Sequence, residues 1–153
     1  MFALAGVAGA VAAPLAGRVA DRGWTRPATA LSMVAVAAAF LMTHLAEPGT
    51  IASLVALVVA AIVLDFGVSA NMMLGQRAIF GLNPIYRARL NGLYMTTFFL
   101  GGAAGSALGG WAYAHGGWLW ASGLGVALPV LTLVYFSTEP PSTRPREAPS
   151  TPA

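Results

Sequence analysis

Long uncharged runs of apolar residues dominate this chain and alternate with short charged segments. A helix needs about 20 residues to cross the roughly 30 Å hydrocarbon core of a bilayer. Transmembrane helices are predicted at about residues 2–17, 27–46, 51–76, 91–113 and 118–136. The predicted fold class is therefore all-α, a polytopic integral membrane protein with one helical domain over residues 1–138.

Turn signals separate these predicted helices. Glu-Pro-Gly at 47–49 predicts a tight turn, and Asn-Pro at 83–84 should end a helix. The uncharged stretch 90–138 is long enough for two crossings, and His-Gly-Gly at 115–117 predicts the hinge between them. Residues 139–153 are rich in Pro, Ser and Thr, so we expect a disordered tail.

Composition excludes several classes of protein. The chain is 58% hydrophobic and 8% charged, whereas a soluble domain is roughly 25% charged. It contains no cysteine, which excludes disulfide scaffolds, thiolate metal sites and cysteine nucleophiles. No serine-histidine-aspartate set, HExxH motif or phosphate-binding loop can be assembled. We expect no enzymatic activity, no metal site and no cofactor.

The basic residues indicate topology. All eight are arginine, in three clusters at 18–26, 77–89 and 144–146. Five crossings would place every cluster on one side of the membrane, and the loops 47–50 and 114–117 on the other. The positive-inside rule makes the arginine side cytoplasmic, so we expect the N-terminus outside and the C-terminus inside. Arginines that punctuate apolar spans do not form a nucleic-acid surface.

The first basic loop resembles a loop of the major facilitator superfamily. That loop, between the second and third helices of each six-helix half, has the form G-x-x-x-D-R-x-G-R-[RK]. The matching residues are Gly17, Asp21, Arg22 and Arg26. Trp24 and Thr25 replace the second glycine and the first terminal basic residue. The resemblance implies that the matching residues latch the cytoplasmic helix ends during conformational switching.

A glycine-rich segment near residues 91–111 is similar to the eleventh helix of bacterial drug or sugar efflux members. The five spans would then be helices eight through twelve of such a transporter. The resemblance implies proton-coupled export of a small molecule by alternating access. The proton gradient would drive this export, and no bound cofactor is expected. It also implies that the N-terminal half is a missing partner, and that the protein lies in the bacterial inner membrane among lipids.

Small residues form two rows on the fourth predicted span. The rows are Gly101, Gly105 and Gly109, and beside them Gly102, Ser106 and Gly110. Small residues at this spacing let helix backbones approach closely in a membrane, where no hydrophobic effect drives association. We expect both rows to serve helix packing.

Asp65 interrupts the third span within the hydrocarbon. Counted from Ile51, it lies about 21 Å along the helix, a little past the midplane. An acid at such a depth is costly unless it faces protein or water. Helical spacing puts Ser69, Met72 and Gln76 on the same face. One face of this span is therefore polar.

Two interpretations of Asp65 stay open. In the first, Asp65 takes up and releases a proton, which burial favours. The substrate and proton pathway is then lined by Asp65, Ser69, Gln76, Asn91 and Tyr94. In the second, Asp65 serves helix packing and forms a hydrogen bond with another span, for example with Asn91 or Tyr94.

The predicted function is secondary active transport of a small organic solute, drug or sugar, by a chain that is one portion of a larger transporter. Because alternating access needs two halves around a central site, we expect the isolated chain not to transport. The alternative is a small membrane scaffold or assembly subunit that binds other helices through its glycine rows.

Overall fold

The structure is a computed structural model that describes residues 14, 17–19, 21–45, 47, 49–82 and 84–139. These residues form helices, turns and bends, with no strand among them. Most of the first predicted span and nearly all of the predicted tail lie outside this part of the chain. The predictions for them, including a disordered tail, stay predictions.

Three long helices organise the described residues. They are α1 (Thr25–Met42), α2 (Ile51–Phe80) and α3 (Arg87–Thr138), with a short 3₁₀ turn at Pro84–Tyr86 before α3. Each is long and apolar enough to cross a membrane. The all-α membrane fold is thus confirmed at this level, whereas the count of five spans stays a prediction.

The longest helix is bent into two arms. An unbroken helix of 52 residues would extend roughly 78 Å, more than twice the hydrocarbon core. Gly116 and Gly117 leave helical geometry, with φ, ψ of −140°, 15° and 62°, −154°. Only glycine adopts the Gly117 conformation readily. The first arm, 87–115, and the second arm, 118–138, match the two spans predicted around this break.

Local chemistry sets the ends of α1 and α2. The Thr50 hydroxyl oxygen accepts from the Ser53 N–H at 3.1 Å and caps the start of α2. α1 ends at Met42, four residues before its predicted end, and the Thr43 hydroxyl donates to the Phe40 carbonyl at 2.7 Å where the chain turns. α2 continues past the predicted span boundary at residue 76 and ends at Phe80, just before the Asn-Pro pair at 83–84 that predicts the end of this helix.

Small residues hold α1 against α2. A Cβ built on Gly67 would lie 2.9 Å from Val36 Cγ2 and 3.0 Å from the Ser32 carbonyl oxygen. These separations leave no room for any side chain larger than hydrogen. One turn or two further along the same face of α2, Ala70 and Leu74 are buried. This close approach replaces hydrophobic burial as the source of helix association in a membrane.

The second arm of α3 packs along α1. A Cβ on Gly125 would lie 2.6 Å from two ring atoms of Phe40, so glycine is required for this contact. At the hinge end, the Trp118 indole N–H donates to the Thr43 hydroxyl at 3.0 Å. α1 therefore lies between α2 and the second arm.

Candidate functional site

An ion pair fastens the first basic loop to the end of α2. Arg77 Nη1 lies 2.5 Å from Asp21 Oδ1 and donates to the Gly17 carbonyl at 3.0 Å. A Cβ on Gly17 would lie 3.0 Å from Arg77 Nη2. The Asp21 and Arg77 side chains are 68% and 46% exposed. Exposed pairs of this kind contribute about 0–1 kcal/mol, so the contact can break at little cost.

Arg26 contacts a different helix from Asp21. Its Nη2 donates to the carbonyls of Phe136 at 3.3 Å and Glu139 at 2.8 Å, and its guanidinium lies 5.0 Å from the centre of the Phe136 ring. Carbonyls at a helix C-terminus lack intrahelical partners and carry negative partial charge. Arg26 thus ties the start of α1 to the end of α3. Arg22 is exposed between the two contacts.

Arg77, Asp21 and Gly17 form a group that we call the loop cluster. Sequence reasoning missed Arg77 as one of its members. The available signal was an arginine in the last turn of α2, which could meet the single carboxylate of the loop. Its partner lies 56 positions away, and no local spacing rule connects the two. The motif residues Gly17 and Asp21 come together through Arg77, and Arg26 bonds the end of α3.

The polar face of α2 points away from its packed face. At 100° per residue, Asp65, Ser69 and Gln76 fall within roughly 40° of each other and about 150° from the direction of the buried face described above. Each of the three is partly exposed. Asp65 makes no hydrogen bond or ion pair with another described residue. The face therefore has no polar partner at Asp65 in the described part of the chain.

Tyr94 joins the first arm of α3 to α2. Its hydroxyl donates to the Met72 carbonyl at 3.2 Å. A Cβ on Gly75 would lie 2.8 Å from Tyr94 Cζ, so the ring fits only because residue 75 is glycine. Asn91, one turn before Tyr94, has a buried Oδ1 without a hydrogen-bond partner among the described residues. Neither side chain bonds Asp65, so the specific pairing offered by the packing interpretation is wrong.

The glycine rows of the first arm border open space. A Cβ on Gly101, Gly102, Gly105, Gly109 or Gly110 would meet nothing within 4 Å, and Ser106 is exposed. These positions do not pack closely against any described helix. Their predicted role in packing thus concerns helices outside the described residues and stays a prediction.

Hydrogen bonds at the opposite end of the bundle involve a histidine. His44 Nε2 lies 2.8 Å from the Ser122 hydroxyl, which in turn donates to the Trp118 carbonyl at 2.7 Å. Within the described part of the chain, no three His, Asp or Glu side chains gather into a metal-binding group.

The polar contacts described above fall into two groups, one at each end of the helix bundle. Asp21, Arg26 and Arg77 lie with the end of α3 at one end, while Thr43 and His44 meet the start of the second arm at the other. This arrangement is the one that the alternation of arginine-rich and arginine-free loops predicts.

Comparisons with known proteins agree with this architecture. The sequence matches the family model of the Major Facilitator Superfamily over residues 1–153. It is 34% identical over 121 residues to the "Putative uncharacterized transporter YgaY" of Escherichia coli (strain K12), an alignment that covers 79% of this chain and 30% of the relative. The "Uncharacterized transporter YgaY" of Escherichia coli O157:H7 gives the same values. No solved structure matches significantly.

The chain spans about 30% of the length of the curated relatives that it matches. The family match covers all of its residues, and its apolar helices are long enough to cross a membrane. The chain therefore belongs to the major facilitator superfamily of membrane transporters.

Proposed function

We propose that this chain is the C-terminal part of a proton-coupled secondary transporter that exports a small organic solute, such as a drug or a sugar. The partial coverage of the relatives supports a longer whole, whose remaining helices supply the other half of the transport pathway. The protein lies in the bacterial inner membrane with the arginine-bearing end of the bundle in the cytoplasm, because positive loops are retained there.

The polar face of α2 is the observation that carries this proposal. A carboxylate at this depth costs about 2.5–3.5 kcal/mol on insertion scales unless protein or water covers it. Asp65 has no polar partner among the described residues, and α1 packs on the other side of the helix. The face thus fits a water-filled pathway between two halves better than a lipid boundary.

Each residue of the proposed pathway would have its own role in transport. Asp65 takes up and releases the coupling proton, and Ser69 and Gln76 offer hydrogen bonds to a polar solute on the same face. Tyr94 and Asn91 border this face from the first arm, where the Tyr94 hydroxyl bonds the Met72 carbonyl. A site near the middle of the membrane is what alternating access requires.

The loop cluster would act as the cytoplasmic latch. The exposed Asp21–Arg77 pair is weak enough to form in one state and break in the other. Gly17 allows the Arg77 side chain to lie against the loop backbone. Arg22 is exposed beside the pair and would contact it, or the opposite half, in the alternative state.

Accessibility of adjacent residues on α2 tests this proposal. The chain contains no cysteine, so single cysteines can be placed in it within a full-length transporter whose other cysteines are replaced, and labelled with a membrane-impermeant maleimide. Ser69→Cys lies on the polar face, whereas the matched control Ala70→Cys lies on the buried face against α1. We expect rapid labelling of the first variant and little of the second. Equal protection of both cysteines in every transport state would contradict a water-filled pathway along this face.

A further inference from the structure

A polar cavity lies at the arginine-bearing end of the bundle, between α1, α2 and the end of the second arm of α3. Its volume is about 650 Å³, within the roughly 300–1,000 Å³ that is usual for sites that hold small molecules. Five polar side chains of α1 and α2 line it, namely Arg26, Arg77, Thr25, Thr29 and Asn71. All five can donate hydrogen bonds, and two of them are positively charged.

The charge on the cavity wall is positive overall. Asp21 is the single acid among the described lining residues, where it faces two arginines. A guanidinium has five N–H donors, and the hydrogen bonds of Arg77 to described residues, to Asp21 and to the Gly17 carbonyl, all leave from Nη1. The Nε and Nη2 donors of Arg77 therefore make no hydrogen bond within the described part of the chain.

The start of α1 adds to this positive potential. Thr25 and Arg26, the first two residues of α1, both line the cavity. Trp24 at the N-cap provides no side-chain hydrogen bond, and the first turn contains no acidic residue. The first N–H groups of a helix lack intrahelical partners and carry partial positive charge, which favours bound anions. The helix start and the two arginines thus favour the same kind of ligand.

We propose that this cavity binds a phosphate group, carried either by an anionic phospholipid or by a small soluble phosphate. The oxygens of a phosphate are arranged tetrahedrally and can accept from two guanidinium groups at once, whereas a carboxylate has two oxygens in one plane. Arginine matches phosphate geometry with paired donors. Basic pockets between membrane helices on the cytoplasmic side bind phospholipid headgroups, and the orientation proposed above places the cavity on that side.

Aromatic side chains in the lining favour the phospholipid as the source of the phosphate. Phe80 and Phe136 line the cavity beside the polar groups, and Phe80 is 43% exposed at the end of α2. The glycerol and the first methylene groups of a lipid would lie against these rings. A free phosphate would bind the arginines and leave the rings uncovered.

Binding to the purified full-length protein in detergent tests the proposal without a transport assay. The probes are dioleoylphosphatidylglycerol, inorganic phosphate at constant ionic strength, and oleate, which carries the same acyl chain on a carboxylate. A ligand of the folded state raises the thermal unfolding midpoint, so titration of each probe gives an apparent affinity. We expect a saturable rise with phosphatidylglycerol, and about tenfold weaker binding of oleate. A similar rise with inorganic phosphate would identify a soluble phosphate as a sufficient ligand, and no rise with it would identify the lipid.

Charge variants locate the phosphate in the cavity. Arg26→Gln and Arg77→Gln should each weaken binding about tenfold, as expected for loss of a hydrogen bond to a charged group. Arg89→Gln is the matched control, because Arg89 is an exposed arginine outside the cavity, and it should leave the affinity unchanged. Asp21→Asn removes the negative charge from the wall and should strengthen binding severalfold. A role in structure alone would not produce this opposite sign.

A neutral variant keeps the proposal testable if an arginine variant fails to fold. Asn71→Leu removes the amide from the cavity wall at similar volume and leaves every charge in place, and it should weaken binding severalfold. Equal affinities for phosphatidylglycerol and oleate would overturn the proposal. So would equal losses in Arg77→Gln and Arg89→Gln, or no saturable response to either phosphate probe, which would assign the cavity to another segment of the transporter. None of these results bears on proton coupling, so the proposed function would stand.

Discussion

Arg77 and Asp21 lie 56 positions apart in the sequence, yet the guanidinium of one lies 2.5 Å from the carboxylate of the other. The contact joins the first basic loop to the last turn of α2. Because the Asp21 and Arg77 side chains are 68% and 46% exposed, the pair adds little to overall stability, as the latch role that we propose for it requires.

Charge reversal tests this pair. Asp21→Arg and Arg77→Asp should each slow transport by the full-length protein, and the double variant should recover much of the activity because the attraction is restored. The same single variants should lower the free energy of unfolding by no more than about 1 kcal/mol. Transport rates in proteoliposomes measure the first effect and thermal unfolding measures the second. A double variant as slow as the worse single variant would contradict a direct interaction.

The contact between Tyr94 and Gly75 predicts a strong effect of a single methyl group. Gly75→Ala places a Cβ within 2.8 Å of Tyr94 Cζ, and such overpacking costs about 1–3 kcal/mol. Gly92→Ala is the matched control, since its Cβ would meet nothing within 4 Å and alanine favours the helix. Thermal unfolding in detergent should show a lower midpoint for the first variant only. A midpoint for Gly75→Ala equal to that of the control would contradict the packing described.

The hinge in α3 depends on the backbone of Gly117. Its φ of 62° with ψ of −154° is a region that alanine enters only with strain, at a cost of about 1–3 kcal/mol. Gly117→Ala should therefore destabilise the two-arm arrangement, while Gly123→Ala, with no atom within 4 Å of its Cβ, should not. Resistance to chemical unfolding, followed through tryptophan fluorescence, distinguishes the variants.

Much of the helical plan could be predicted from local patterns. The break at Gly116 and Gly117 follows from a glycine pair inside an uncharged stretch too long for one crossing. Asn-Pro at 83–84 predicts the end of α2 near Phe80, whereas the predicted span stops at residue 76 because Arg77 is charged. Arg77 stays helical, and its side chain reaches back to the loop. Charge marks the edge of the apolar segment and does not end a helix.

Long-range contacts explain what the sequence left open in the candidate site. Arg26 belongs by spacing to the loop motif, yet it donates hydrogen bonds to the carbonyls of Phe136 and Glu139, more than 100 positions away. The polar face of α2 could be predicted because Asp65 and Gln76 obey helical periodicity. Their partners could not, since periodicity orients one helix and says nothing about which neighbour covers it.

The Arg26 contact predicts local rather than global protection. Arg26→Gln removes a charged donor from the last carbonyls of α3, an interaction worth about 0.3–1 kcal/mol or somewhat more when partly buried. Amide hydrogen exchange should accelerate in the last turn of α3 and remain unchanged in α2. Arg22→Gln, at an exposed position, should leave both regions unaffected. Equal exchange rates in the last turn of α3 for the unmodified protein and both variants would contradict the contact between Arg26 and that turn.

We propose that Asp65 on the polar face of α2 carries the coupling proton. The measurement is solute transport by the full-length protein in proteoliposomes under an imposed pH gradient. Asp65→Asn is compared with the control Glu47→Gln, which removes an exposed acid from the arginine-free end of the bundle. We predict that Asp65→Asn loses the pH-driven component while solute exchange without a gradient persists, and that Glu47→Gln retains both. Unchanged pH-driven transport by the Asp65→Asn protein would contradict the account.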